Sequence, residues 1–297
     1  MATYSALRRF YLIIEKIKQR GDSSFKAIAD HLKDNDVQIS KRTMQRDINQ
    51  IRNDFGVEIA YDRDSDQYFI NEDMSANLSG FYQFLELSLT AEILREELKD
   101  KRELIKYVHF DGIDLLAGQS NLKLVLQAIS LKRWISFSYE KYTEEGIKEH
   151  SIIPCLLKRY QNRWYVFGRS KNGYTATFGL DRVKELEILT ENFTEDEVEI
   201  PEGFNSIVGL NYSGQPIHVL LEADSLQAKY LKSLPLHHSQ QTKSEEKDST
   251  VFEYHLIANF ELTQAILRLG DQVKVLGPQS LQTEIKDALQ RAIDRYK

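Results

Sequence analysis

Arg42 and Arg46, followed by Asn49 and Asn53, recur at helical spacing, with Thr43 and Gln50 beside them. Guanidinium groups fork onto phosphate oxygens or onto the O6 and N7 of guanine, and carboxamides pair with adenine edges in the same two-pronged way. A helix presenting those groups on one side can read a major groove. Met44, Ile48, Ile51 and Phe55 fall on the opposite stripe, spaced as a core seam. Ser40 stands where a cap is needed, and the N-terminus of a helix also favours a phosphate. Lys41 and Gln45 complete the candidate contacts on this helix. The same face would suit a solvated surface helix, so the neighbouring elements must decide.

Two shorter amphipathic helices precede this one. The first runs through Leu7, Phe10, Ile14 and Ile17 and stops at Gly21; the second starts near Ser23 or Ser24 and carries Phe25, Ile28, Ala29 and Leu32. After Gly56, Val57–Tyr61 and Gln67–Ile70 flank a polar tip, Asp62-Arg63-Asp64-Ser65-Asp66, and predict a hairpin. Three helices and a hairpin make a winged helix-turn-helix, whose third helix enters the major groove while the wing, with Arg63, lies along the backbone.

At this point a family resemblance enters. Thr43-Met44-Gln45-Arg46-Asp47-Ile48 resembles the T-[VI]-x-R-D-[LI] core of winged-helix regulators of the DeoR and WYL type. Arg163-Trp164-Tyr165-Val166-Phe167-Gly168-Arg169 is similar to the W-Y-L signature, with Val166 replacing its leucine. Phe178-Gly179-Leu180-Asp181-Arg182-Val183 resembles the F-x-L-D-R-I element that follows it, and Pro154 stands where the family has a proline. Leu267–Asp271 and Val275–Pro278 resemble the C-terminal extension found behind WYL domains. His150, four residues before the proline, stands where many members carry an arginine. The resemblance implies a regulator that senses a nucleotide or nucleic-acid ligand; several such regulators control phage-defence or DNA-damage genes.

The expected architecture is α+β and multidomain. A winged helix-turn-helix spans 1–73, a helical connector with a dimer seam 74–130, a small SH3- or Sm-like β-barrel 131–200, and an α/β sandwich 210–297. In the connector, Phe81, Phe84, Leu85, Ser88 and Leu89 form one side, and Leu122, Val125, Leu126 and Ile129 continue the pattern after a looser 111–120 region. These helices either pack on their own domains or offer a seam to a second copy; the seam is preferred, because helix-turn-helix proteins read two half-sites as twofold dimers. The barrel is predicted from six short strand-like runs, including Lys148–Ile153 and Leu156–Tyr160, with a turn at Thr143–Gly146. Alternation places Trp164 and Val166 on one face of the signature strand and Tyr165, Phe167 and Arg169 on the other. In the last domain His237-His238 opens a charged loop through Asp248, read as solvated and polar.

On the barrel, cations stand beside stacking platforms, the combination that nucleotides and short single strands require. Arg169 and Arg182 are expected to bind the anion, with Tyr165 or Tyr139 as the stacking face and Lys158 and His150 at the rim. A histidine at that place, with an ordinary pKa of about 6.5, would titrate near neutral pH. Trp164 is assigned to the core.

The 297 residues allow two or three domains and a core without metals or disulfides, and the formal net charge of −6 excludes a histone-like polycation. Basic residues must therefore act locally, and Lys41, Arg42, Arg46 and Arg52 against Asp47 form the clearest excess. The single Cys155 excludes an internal disulfide and reads as a buried thiol. Neither a signal peptide nor a long apolar run is evident, which predicts a cytoplasmic protein. There is no G-x-S-x-G elbow, P-loop, H-E-x-x-H or strand-linked G-x-G-x-x-G, so neither an enzyme nor a cofactor is expected. The partners expected are a palindromic double-stranded operator, a nucleotide or single-stranded effector and a second copy of the chain. An accessory single-stranded nucleic-acid-binding module serving a helicase or nuclease stays open as the alternative.

Overall fold

The computed structural model describes residues 4–19, 21–99, 106, 118–142, 146–198 and 200–297. It divides into two compact units, Met1–Asp111 and Gly112–Lys297. The 111–117 part of the expected looser region and residues 143–145 of the expected turn lie outside the described residues. Among the described residues no helix is long and apolar enough to cross a membrane.

The first unit contains α1 (Tyr4–Lys18), α2 (Phe25–Asp34) and α3 (Lys41–Phe55), then an antiparallel pair, β1 (Glu58–Asp62) and β2 (Gln67–Asn71), then α4 (Leu78–Leu98). Ser24 caps α2 by accepting from the Ala27 N–H, and Ser40 caps α3 by accepting from Thr43. Gly56 ends α3 at φ +64°, a left-handed position where a residue with a Cβ would be strained. Met44, Ile48 and Ile51 pack with Phe10, Ile13, Ile28 and Leu32 in one core, each burial contributing about 1.5–3 kcal/mol.

The expected connector is divided between the units. Phe81 and Leu85 of α4 lie in the core of the first, where Phe55 meets Phe81 and Phe84 at ring separations of 4.9 and 5.1 Å. Helix α5 (Gln119–Leu131) buries Val125 and Ala128 in the second. Apolar residues occur on more than one side of α4, and Phe84, Leu87 and Ile93 remain exposed.

The second unit begins with α5 and a five-stranded antiparallel sheet. Its strands are β3 (Arg133–Glu140), β4 (Ile147–Tyr160), β5 (Arg163–Ser170), β6 (Thr175–Gly179) and β7 (Val183–Asn192), in the order β6-β5-β4-β3-β7. Among the described residues β6 and β7 do not pair, so the five strands of the small SH3- or Sm-like barrel that was expected form a sheet that does not close on itself. The two strands expected on either side of Pro154 are a single strand. A register shift between Pro154 and Leu156 bends β4, which pairs with β3 before the bend and with β5 along it. Proline is tolerated in a sheet at such a bulge, and it is what made one strand look like two. One face buries Phe137, Tyr139, Val166 and Phe178 with Trp164 packed alongside; the other buries Phe167 against Phe204, Ile207 and Tyr212.

A second sheet, ordered β11-β8-β10-β9, follows: β8 (Ile217–Asp224), β9 (Gln241–Glu245), β10 (Ser249–Leu256) and β11 (Val273–Gly277). Alternate residues Val219, Leu221, Phe252 and Tyr254 share one core with Leu231 of α6 (Ser225–Ser233), Ile266 of α7 (Phe260–Arg268) and Leu281 of α8 (Gln279–Asp294). The stretch expected as a solvated loop forms β9, an exposed polar edge strand paired with β10. Polar edge strands resist pairing with other chains and for the same reason look like loops in sequence. His237 is not solvated. Its ring lies between the Ser239 hydroxyl at 2.8 Å and the Asn205 carbonyl at 3.0 Å, and burial, with His238 nearby, pulls its pKa down to about 4.

Candidate nucleic-acid interface and ligand cleft

Helix α3 presents Lys41, Arg42, Gln45, Arg46, Asn49 and Asn53 to solvent, with Thr43 half-buried beside its Ser40 cap. Among the described residues Arg42 and Arg46 make no hydrogen bond or ion pair, so their donors are available to a partner. The opposite side of the helix is fastened by charge as well as by apolar packing. Asp47, completely buried, accepts from Nε and a terminal nitrogen of Arg9 at 2.6 and 2.9 Å. Hydrogen bonding to Asp47, opposed by burial, holds the Arg9 guanidinium above its ordinary pKa. Arg52 forks onto Glu58 of β1 at 2.6 and 2.7 Å. It thus ties α3 to the hairpin and leaves the local basic excess counted from the sequence. Sequence reasoning missed the Asp47 role because its partner lies on another helix.

The Ser23 hydroxyl donates to the Tyr68 carbonyl at 2.8 Å, fixing the hairpin to the start of α2. Arg63 is exposed at the hairpin tip, but Asp62, Asp64 and Asp66 surround it in sequence. Asp62 accepts from the Ser65 hydroxyl and the Asp64 N–H, which hold its carboxyl below the usual range. A tip with three carboxylates to one guanidinium is poorly suited to lying on a phosphate backbone.

In the second unit Tyr139, His150, Tyr165 and Arg182 gather at one end of the five-stranded sheet. Tyr139 is not an open stacking face: it is 3% exposed, its hydroxyl oxygen accepts the Gly179 N–H at 3.1 Å, and Arg182 covers its ring at 4.9 Å. Burial pushes the Tyr139 phenol up. Its place is to carry Arg182, which also meets the exposed Tyr142 ring at 4.4 Å. Such cation–π contacts stabilise by about 0.5–2 kcal/mol each and fix the guanidinium plane. His150 is half-buried among Phe137, Tyr139 and Phe178, with ring separations of 4.8–6.1 Å, and so belongs to an aromatic cluster.

The turn that bears Arg182 is held from behind. Asn121 of α5 donates to the carbonyls of Leu180 and Val183, both at 2.9 Å. Arg182 Nε and Asp181 Oδ1 are buried without a hydrogen-bond partner among the described residues, while Asp181 Oδ2 lies 3.4 Å from Arg163. A Cβ at Gly179 would stand 2.7 Å from Asp181 Oδ1, 3.3 Å from Arg182 and 3.4 Å from Tyr165, so the glycine keeps this cradle open. Burial pushes the Tyr165 phenol up, and Arg163, Asp181 and Arg182 lie within its electrostatic reach.

Two expected ligand residues are placed elsewhere. Arg169 stands four positions along β5 from Tyr165, about 13 Å away, and donates to the Glu197 carbonyl at 3.4 Å. Lys158 shares the sheet face of Tyr165, but its ammonium lies 4.9 Å over Phe204, and burial lowers its pKa while Glu261 opposes the shift. Tyr142, Gly179 and Asp181 also lie beside Arg182. The last two are part of the quoted family element, but nothing in the sequence pattern separates a cradle glycine from a turn glycine.

The WYL domain family matches residues 120–188 and the WCX domain family residues 215–293. No curated protein matches the chain. Among solved structures, the chain is similar to proteasome accessory factor B/C (PafBC) of Arthrobacter aurescens, at 20% identity and a TM-score of 0.30, over 98% of this chain. It spans 47% of that protein's length. It is also similar to a CRISPR Cas-related protein at 14% identity and a TM-score of 0.42, covering 100% of this chain and 87% of the other.

Proposed function

The chain belongs to the proteins that carry a WYL domain followed by a WCX domain, and on that footing we propose that it is a sequence-specific DNA-binding transcription regulator, acting as a repressor. The observation that carries this reading is the exposed pair Arg42 and Arg46, without a hydrogen bond or ion pair among the described residues, on a capped helix whose rear is held by Arg9–Asp47 and Arg52–Glu58. A rigid helix loses little freedom on binding, so its side chains can be spent on base edges. In this reading the three helices and hairpin act as a winged helix-turn-helix in which α3 does most of the work, because the tip of the hairpin is acidic. The exposed Phe84, Leu87 and Ile93 supply apolar surface for a homodimer on a palindromic operator. The Arg182 cleft senses a nucleotide-like effector, with Arg182 held by its contacts with the Tyr139 and Tyr142 rings. The protein acts by binding, not catalysis.

The accessory-module reading draws on the same cleft, which needs nothing from α3. Selection of bound genomic fragments separates the two. A regulator enriches a palindromic duplex, whereas an accessory module enriches none and prefers single strands regardless of sequence.

A further inference from the structure

One five-residue pattern occurs on two neighbouring helices of the first unit. Tyr11-Leu12-Ile13-Ile14-Glu15 lies in α1 and Tyr82-Gln83-Phe84-Leu85-Glu86 in α4, each a tyrosine with an aliphatic residue three positions on and a glutamate four on. At that spacing the three side chains share one helix face. The two faces meet: Tyr11, Ile14 and Glu15 line a cavity of 640 Å³ together with Tyr82, Leu85 and Glu86. That volume lies within the usual range for small-ligand pockets, roughly 300–1,000 Å³. Ile14 and Leu85 are buried in the core that also holds Met44, Ile48 and Ile51, so they make a fixed apolar floor. Past Tyr11 and Glu86, which line it too, a second cavity of 320 Å³ continues along Leu12 and Leu89.

The walls are acidic and aromatic. Glu86 is exposed and makes no hydrogen bond or ion pair among the described residues. Glu15 is held in place: it accepts the Tyr11 hydroxyl at 2.9 Å and lies 2.9 Å from Nε2 of His31, which also fixes the Tyr11 ring. The Tyr82 ring already takes a cation, because the Lys18 ammonium lies 3.9 Å from its centroid. Lys18 is exposed, and its flexible stem lets the ammonium turn to water when another cation arrives. Two aromatic faces, two carboxylates and an apolar floor suit a positive charge carried on an apolar body. An inorganic ion would leave the floor unused, and an anion would face two carboxylates against one ammonium. At 3.6 residues per turn, Phe84 and Leu87 fall about 140–200° round α4 from Tyr82, so a second copy seated on those two residues leaves the groove open.

We propose that the groove between α1 and α4 binds a small organic cation with an apolar body. The charge sits between Glu15 and Glu86, and the body lies on Ile14 and Leu85 against the Tyr11 and Tyr82 rings. The site belongs wholly to the first unit and requires neither the Arg182 cleft nor DNA.

The test is isothermal titration calorimetry of the full chain with tetraphenylphosphonium, benzyltrimethylammonium and tetraphenylborate, the last an anion of the first probe's size and shape. In the parent both cations bind, and tetraphenylphosphonium binds at least about tenfold more tightly than tetraphenylborate, which the carboxylates repel. Tyr11→Leu loses about fivefold on the cations, the size of one partly exposed cation–π contact. Glu15→Gln combined with Glu86→Gln loses about tenfold, as two partly exposed ion pairs would. Lys18→Met gains about threefold, because the competitor for the Tyr82 ring is gone. Glu246→Gln, which removes a charge from the exposed turn between β9 and β10, binds as the parent does. No cation binding tighter than about 1 mM, tetraphenylborate as tight as tetraphenylphosphonium, or a double glutamine variant that matches the parent overturns the proposal. Weaker cation binding in Lys18→Met overturns it as well. Light scattering on the same samples gives one mass for parent and variants; a changed mass in Tyr11→Leu or in the double variant makes the groove a contact between copies and overturns the ligand site.

Discussion

Removing the Asp47 carboxylate should unfasten the recognition helix without touching its exposed face. Asp47 is wholly buried and Arg9 only 15% exposed, joined by two hydrogen bonds of 2.6 and 2.9 Å. Asp47→Ala takes away the carboxylate that accepts both of these bonds from a guanidinium largely cut off from water. Breaking a buried pair this way costs about 3–5 kcal/mol, and the residual exposure of Arg9 puts the expected loss near 3 kcal/mol. For a unit of this size the melting transition should fall by roughly 10–15 °C. Thermal unfolding followed by circular dichroism and calorimetry would measure it. Replacing both partners, as in Arg9→Met with Asp47→Leu, should recover at least half of the loss, because no charge is then stranded. If Asp47→Ala melts within 1–2 °C of the parent and yet fails to bind DNA, Asp47 belongs to the contact surface and the fastening role is wrong.

Gly179→Ala should weaken effector binding by at least tenfold with little change in DNA affinity, because the added carbon intrudes on Asp181, Arg182 and Tyr165; calorimetric titration with the best-binding oligonucleotide checks it. Stability should fall as pH drops from about 6.5 towards 4, because His237 is held neutral in the fold with a pKa of about 4 against 6.5 when unfolded. The unfolded chain binds the proton first in that window, so protonation draws the equilibrium towards it; denaturant midpoints across the range should flatten in His237→Gln. Light scattering at micromolar concentration should give twice the chain mass of 34.6 kDa, and a strict monomer footprinting one half-site would exclude the dimer.

Most of the first unit was legible because its signals are local. Met44, Ile48 and Ile51 sit at helical spacing, with Ser40 before them and Gly56 behind. What was not legible depends on distant partners. Asp47 reads as a charge subtracted from a basic helix until α1 brings Arg9 to it. Tyr139 reads as a stacking ring, yet Arg182 occupies its face and Gly179 its hydroxyl. Pro154 signals a strand end where the chain bends through a bulge and continues. Gln241–Glu245 has no apolar alternation because, as an edge strand, it buries neither face. Tyr165, Arg169 and Arg182 were expected together, the two arginines chiefly through the family resemblance; Arg182 lies beside Gly179 and Tyr165, whereas Arg169 stands four residues along β5, a distance that strand alternation does not report.

The most direct test of the regulator is binding of its selected operator by the parent, Arg42→Ala and Arg46→Ala across a salt series. Each variant should keep the parent's fold and lose about 1–3 kcal/mol on the operator. The slope of log K against log salt counts the phosphates neutralised, at about −0.9 each, so it should become shallower by about 1 for an arginine that holds a phosphate and stay near the parent's for one that reads a base edge. Folded variants that bind the operator as tightly as the parent, with an unchanged slope, would contradict the assignment of α3 as the reading helix.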